Sequence, residues 1–127
     1  MCGIAGLWAY SGECSQHKIS LKEMSLALEH RGPDHGGYWP DHGGYWSDEK
    51  YNLHLSHRRL SILDLSMAGN QPMISHNDRF VISFNGEIYN NLDLKKELEK
   101  LHKKVNWRGH SDTEILLELI SSFGLEK

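Results

Sequence analysis

The heptad Pro-Asp-His-Gly-Gly-Tyr-Trp occurs twice without a gap, at Pro33–Trp39 and again at Pro40–Trp46. No other feature restricts the fold as much. Each copy opens on a proline, which withholds a backbone donor, and carries a Gly-Gly pair, which weakens any helix or strand interior. Positions 33–52 therefore read as loop, with regular structure on either side. Solenoid repeats have longer periods, roughly 20–50 residues, and come in three or more copies. The pair instead suggests a local duplication lengthening one surface loop, or an error in the recorded sequence.

Before the repeat, Ile4 to Trp8 is short, apolar and glycine-bounded, as expected of a buried strand. Leu21, Met24, Ala27 and Leu28 then recur at helical spacing, predicting a helix from Ser20 to His30. Gly32 supplies a left-handed cap and Pro33 a stop. After the repeat, Leu53 to Leu63 and Arg79 to Phe84 read as strands, and Asn85-Gly86 is a strong hairpin signal. Asn91 to Val105 reads as a helix with Leu94, Leu98, Leu101 and Val105 on one face. Ser111-Asp112-Thr113-Glu114 has the form of a capping box before a helix from Ile115 to Phe123, which Gly124 closes. The order β-α-β-β-α-α implies a mixed α/β or α+β domain.

At 127 residues the chain is one domain's worth, and 39% hydrophobic with 24% charged residues is ordinary for a globular protein. A formal charge of −3, with only mild basic clusters at His57-Arg58-Arg59 and Lys100 to Lys104, argues against a nucleic-acid or membrane-surface partner. No apolar run approaches the ~20 residues of a membrane span, and the N-terminus lacks the basic start of a secretory signal. Two cysteines, Cys2 and Cys14, make no disulfide framework, so a cytoplasmic setting is expected. Nine histidines raise a metal reading, at Asp34-His35, Asp41-His42, and His54 with His57. The Cys/His spacings of zinc sites are absent, so no metal is expected.

Cys2 carries the most chemistry. Methionine aminopeptidases remove Met1 when the second residue is small, leaving a thiol and a free α-amine on one residue. That amine has a pKa of roughly 7.7–8.0, against about 8.5 for the thiol, and can serve as general base for its own side chain. By position alone, Cys2 reads more readily as a buried structural thiol than as a nucleophile.

The company it keeps decides between these readings. Cys2-Gly3-Ile4-Ala5-Gly6 is followed by Arg31-Gly32-Pro33-Asp34, Arg59-Leu60-Ser61-Ile62-Leu63-Asp64, Gln71-Pro72, Asn85-Gly86-Glu87-Ile88-Tyr89-Asn90 and Ser111-Asp112-Thr113-Glu114. In that order, over essentially the whole chain, they resemble the class II glutamine amidotransferases with an N-terminal nucleophile, and specifically the asparagine synthetase family.

The resemblance implies an α+β fold, an N-terminal nucleophile hydrolase-type αββα sandwich of two antiparallel sheets between helices. It implies glutamine hydrolysis to glutamate and ammonia. Cys2 would be the nucleophile, and the Asn85 side-chain amide with the Gly86 backbone N–H would form the oxyanion hole. Arg59 would pair the glutamine α-carboxylate, aided by backbone near Leu60 and Ile62. Asp112 would pair the α-ammonium, with Glu87 beside the same pocket. Without the resemblance, Arg58 and Arg59 read as solvated strand residues and Asp112 as a helix N-terminal residue favouring the dipole.

The family's glutaminase domain is longer than this chain, so residues 1–127 are expected to be its front part and the sandwich to be incomplete. Alone, the chain is expected to be a poor glutaminase. No cofactor is expected in it; ATP and Mg belong with the synthetase domain, where aspartate would be adenylated and ammonia consumed. Expected partners are glutamine, that C-terminal domain and a second copy of the chain in a homodimer. Two alternatives stand beside this reading. One is a non-catalytic remnant acting as an interaction module; the other is the glutaminase half of a related class II enzyme with a different acceptor.

Overall fold

Gly3–Trp8 forms strand β1, and its partner is β4, Leu53–Arg59. They run antiparallel, with Gly3 opposite Arg58 and Trp8 opposite Leu53. The computed structural model describes residues 2–11, 14–32, 35–36, 44–60, 67–101 and 105–125. Its helices and antiparallel sheets make an α+β protein. Two units divide it: Met1–Ile62, Asn70–Pro72 and Ser83–Asn85 form the first, and Leu63–Gly69, Met73–Ile82 and Gly86–Lys127 the second.

In the first unit β4 is the central strand. β1 lies along one edge; β2 (His35–Gly36) and β3 (Tyr45–Asp48) follow one another along the other. The tandem heptad explains that arrangement. His35 stands opposite Arg59, and Tyr45 stands opposite Ser56. Extending the β3 register toward Arg59 would bring position 42 there instead, seven residues beyond His35. Seven is the length of one repeat. The first copy thus supplies the His-Gly half of the strand pairing and the second copy the Tyr-Trp half. The segment expected to be loop throughout therefore contains strand.

Helix α1 (Cys14–Ala27) packs against β1 and β4. It starts six residues before the expected Ser20, and the reason is its unusual inner stripe. Cys14, His17, Lys18, Leu21 and Ser25 are its buried or half-buried positions along with Ser20, while Met24 and Ala27 are exposed. Polar side chains occupy most of that face, so apolar periodicity finds only its later turns. Leu21 is wholly buried, and truncating such a leucine costs about 2–5 kcal/mol. Arg58 ties the layers together: its Nε donates to the Ser25 carbonyl at 3.0 Å and to the Ser25 hydroxyl at 3.2 Å.

Successive strand residues point to opposite faces. Arg58 therefore meets α1, while His57 and Arg59 look the other way, toward the 70–72 and 83–85 segments of the same unit. On that face β1 presents Ile4 and Trp8, which remain 41% and 64% exposed.

In the second unit, β5 (Met73–Ile74) and β6 (Val81–Ile82) form a hairpin. The Ser75 hydroxyl accepts the Phe80 N–H at 3.0 Å and donates to Asn77 Oδ1 at 2.8 Å, and Asp78 takes a φ of 55°. The hairpin turn is thus at 75–80, not at Asn85-Gly86, and the expected strand from Arg79 to Phe84 shrinks to Val81–Ile82. Asn85 and Gly86 lead into helix α2 (Asn91–Leu101) instead.

α2 packs against α3 (Asp112–Phe123), which also meets β5. Within α2 Leu98 is buried, whereas Leu101, expected on the same face, is exposed. Ser111 caps α3 by accepting the Thr113 N–H at 3.2 Å. Glu114 does not complete the box. Its carboxylate turns to the preceding segment and accepts from the Arg108 and Gly109 backbone N–H groups at 2.9 and 3.1 Å.

Candidate active site

Because Gly3 stands opposite Arg58, the chain start lies beside the end of β4. The Leu60 backbone N–H donates to Cys2 Sγ at 3.3 Å, and the thiol lies 3.7 Å from the Leu60 carbonyl oxygen. Arg31 Nε donates to the Cys2 carbonyl at 3.4 Å. Gly32 is buried against β4, so close that a Cβ there would meet Arg58 and Arg59 backbone at 2.4–2.7 Å. Its φ of −150° is no left-handed cap. Close approach, rather than helix termination, requires this glycine.

Arg59 is 7% exposed and Arg58 5%, so neither is a solvated strand residue. Arg59 Nη1 donates to Asn70 Oδ1 at 3.1 Å, holding the 70–72 segment against the inner face of β4. The next residue, Gln71, accepts the Phe84 N–H on Oε1 at 2.6 Å. His57 Nε2 lies 3.2 Å from the Phe84 carbonyl oxygen. A carbonyl only accepts, so this nitrogen carries the proton. Burial lowers the His57 pKa from its ordinary value. The Phe84 carbonyl opposes that shift, and the Arg59 charge adds to it.

The first unit thus holds Cys2, Arg59, Leu60 and Asn85, and Asn85 is exposed. Ile62 lies outside the described residues. Gly86, Glu87 and Asp112 belong to the second unit. There Asp112 Oδ2 accepts the Ile88 N–H at 2.9 Å, fixing the segment that follows exposed Gly86 and Glu87. Its other oxygen accepts the Thr113 N–H at 2.8 Å.

Sequence reasoning gave His57 no catalytic part and Gln71 only a place in a motif. A histidine two residues before the arginine on one strand shares its face, and that spacing is the only signal it offered. The same periodicity separates His54 from His57. His54 looks toward α1, its ring 6.0 Å from that of His17, with Tyr45 Oη 3.1 Å from its Nδ1. These two histidines cannot ligate one ion together. Among the described residues, no group of three or more His, Cys, Asp or Glu is placed to hold a metal. None of their helices is long and apolar enough to cross a membrane.

The sequence profile of the glutamine amidotransferase domain matches residues 1–127. The chain belongs to that family. The amidotransferase domain is 33% identical to asparagine synthetase [glutamine-hydrolyzing] 1 of Arabidopsis thaliana, across 99% of this chain and 19% of the relative. It is 34% identical to putative asparagine synthetase [glutamine-hydrolyzing] 2 of Methanocaldococcus jannaschii, across 99% of this chain and 25% of that protein. Asparagine synthetase [glutamine-hydrolyzing] 3 of Bacillus subtilis is 36% identical, across 92% of this chain and 17% of its own length. The chain therefore spans a quarter or less of these relatives, which carry long further sequence.

Proposed function

We propose that this domain hydrolyses glutamine to glutamate and ammonia, with Cys2 as nucleophile. The observation that carries the reading is Cys2 Sγ held by the Leu60 N–H beside buried Arg59, in a chain of the glutamine amidotransferase family. With Met1 removed, the Cys2 α-amine takes the thiol proton as sulfur attacks the side-chain amide carbon. The Asn85 amide and the Gly86 N–H receive the developing oxyanion. The ammonium returns that proton to the leaving nitrogen, ammonia departs and a thioester remains. Water then attacks the thioester, restoring the thiol and releasing glutamate.

Arg59 offers a planar fork suited to the α-carboxylate, and the Leu60 and Ile62 backbone would flank it. Asp112, with Glu87 nearby in sequence to Gly86, would receive the α-ammonium. In a longer parent protein the ammonia would serve a synthetase domain making asparagine, the product in the relatives' names; on this reading ATP, Mg and the acceptor aspartate would belong to that domain.

The test is glutamate release by the full-length protein, alongside intact mass. Loss of one methionine is expected, with activity abolished in Cys2→Ala and little changed in Cys14→Ala. Full activity in a protein retaining Met1, or equal losses from both substitutions, would refute the mechanism.

A further inference from the structure

Asn85 is preceded by a stretch that no strand holds. β6 ends at Ile82, and Ser83–Asn85 belong to no sheet. An oxyanion donor has to be fixed before the reaction begins, because its benefit comes from needing no reorganisation as charge develops. Side chains fix this stretch where a ladder does not. The Phe84 N–H donates to Gln71 Oε1 at 2.6 Å. The Phe84 carbonyl accepts from His57 Nε2–H at 3.2 Å.

The two bonds act on the peptide planes on either side of Phe84. The second plane contains the Phe84 carbonyl and the Asn85 N–H, so its orientation sets the Asn85 backbone from which the side-chain amide projects. His57 itself is rigid. It is 2% exposed, and its own N–H donates to the Gly44 carbonyl at 2.8 Å. Its Nδ1 is buried and without a hydrogen-bond partner, so the ring is locked in one tautomer, with its single proton on the nitrogen facing Phe84.

We infer that His57 is a positioning residue for the oxyanion donor: its Nε2–H fixes the Phe84 carbonyl and hence Asn85, with Gln71 completing the clamp. This rests on the reading of Asn85 as the donor. In this role His57 acts wholly through the Phe84–Asn85 peptide, by way of its bond to the Phe84 carbonyl.

The experiment uses the full-length, Met1-processed protein with His57→Phe, His57→Gln and Gln71→Met. Four quantities are read: kcat and KM for glutamate release, inhibition by glutamate γ-semialdehyde, and the rate of Cys2 alkylation by iodoacetamide. The semialdehyde adds Cys2 to give a thiohemiacetal whose oxygen uses the same donors as the tetrahedral intermediate. His57→Phe should lower kcat and semialdehyde affinity together by about ten- to a hundredfold, less than the 10²–10³ lost on deleting a donor outright. KM and the alkylation rate should hold within about twofold, as expected for an interaction realised only in the transition state. His57→Gln keeps an N–H donor and should recover part of the loss. Gln71→Met should shift the same two quantities, and decides the matter if His57→Phe does not fold. Raised KM with intact kcat and semialdehyde binding, or no change in the folded variants, overturns the proposal while leaving the glutaminase reading standing. A wild-type protein that releases no glutamate overturns both.

Discussion

A Cβ added to Gly32 would lie 2.4 Å from the Arg58 carbonyl carbon and 2.5 Å from its oxygen, so the Arg31–Gly32 turn rests directly on the β4 backbone. The obstruction is main chain, which cannot rotate aside as a flexible side chain could. Gly32→Ala should therefore destabilise at or above the roughly 1–3 kcal/mol typical of overpacking. Arg31 reaches the Cys2 carbonyl from the same turn, so glutamine turnover should fall with it. An unchanged urea midpoint would show that the turn can lift away from β4.

Binding and chemistry should separate between Arg59 and Asn85. Arg59→Lys keeps a charge but loses the planar fork, so KM for glutamine should rise by about tenfold or more, one bidentate contact's worth, while kcat changes less. On the proposed mechanism Asn85→Ala removes a donor used only as the oxyanion forms, and kcat should drop by about 10²–10³. Steady-state kinetics of glutamate release read both, and the opposite pattern would exchange the two roles.

Stability should fall on mild acidification. Burial lowers the pKa of His57, where the Phe84 carbonyl partly opposes the shift and Arg59 adds to it. His54 is lowered too, by burial first and then by His17 and Lys18, against Glu49. Both therefore fold neutral, while in the unfolded chain they titrate near 6.5. Below about 6.5 the unfolded state binds more protons, so their contribution is present above that pH and is lost as pH falls through it. Thermal unfolding should show a plateau above about pH 7 and a decline below about 6.5, shallower in His57→Gln. A profile with the same slope in the variant would exonerate His57.

Deleting Pro40–Trp46 should leave the strand pairing intact. His35-Gly36 already faces Arg59 and Arg58, and after deletion Tyr38-Trp39 would follow in the register that Tyr45-Trp46 holds opposite Ser56 and Leu55. Loop length alone costs only about 0.6 kcal/mol per doubling, so stability should be preserved or slightly raised. A large loss measured by chemical denaturation would mean that the second copy makes contacts the first cannot replace.

What was legible in the sequence was local. The apolar run after Cys2, the Ser111 cap and the Gly124 stop each depend on neighbours a few residues away, and each lies where the residues put it, with Gly124 at a φ of 80°. The strand after Cys2 is not buried as expected, since Ile4 and Trp8 stay exposed. The ordered motifs likewise carried the family, because they are read residue by residue. Packing decided the rest. The first two turns of α1 were hidden because His17 and Lys18 take places usually held by apolar side chains. Gly32 looked like a helix cap until β4 lay against it. Asn85-Gly86 has a hairpin's composition, yet the hairpin formed at 75–80, where Ser75 and Asn77 close a turn of their own. The part assigned to His57 could come only from tertiary structure. Its partner is 27 residues away, and no spacing within the chain reveals which carbonyl a buried imidazole will meet when two segments fold onto one strand face.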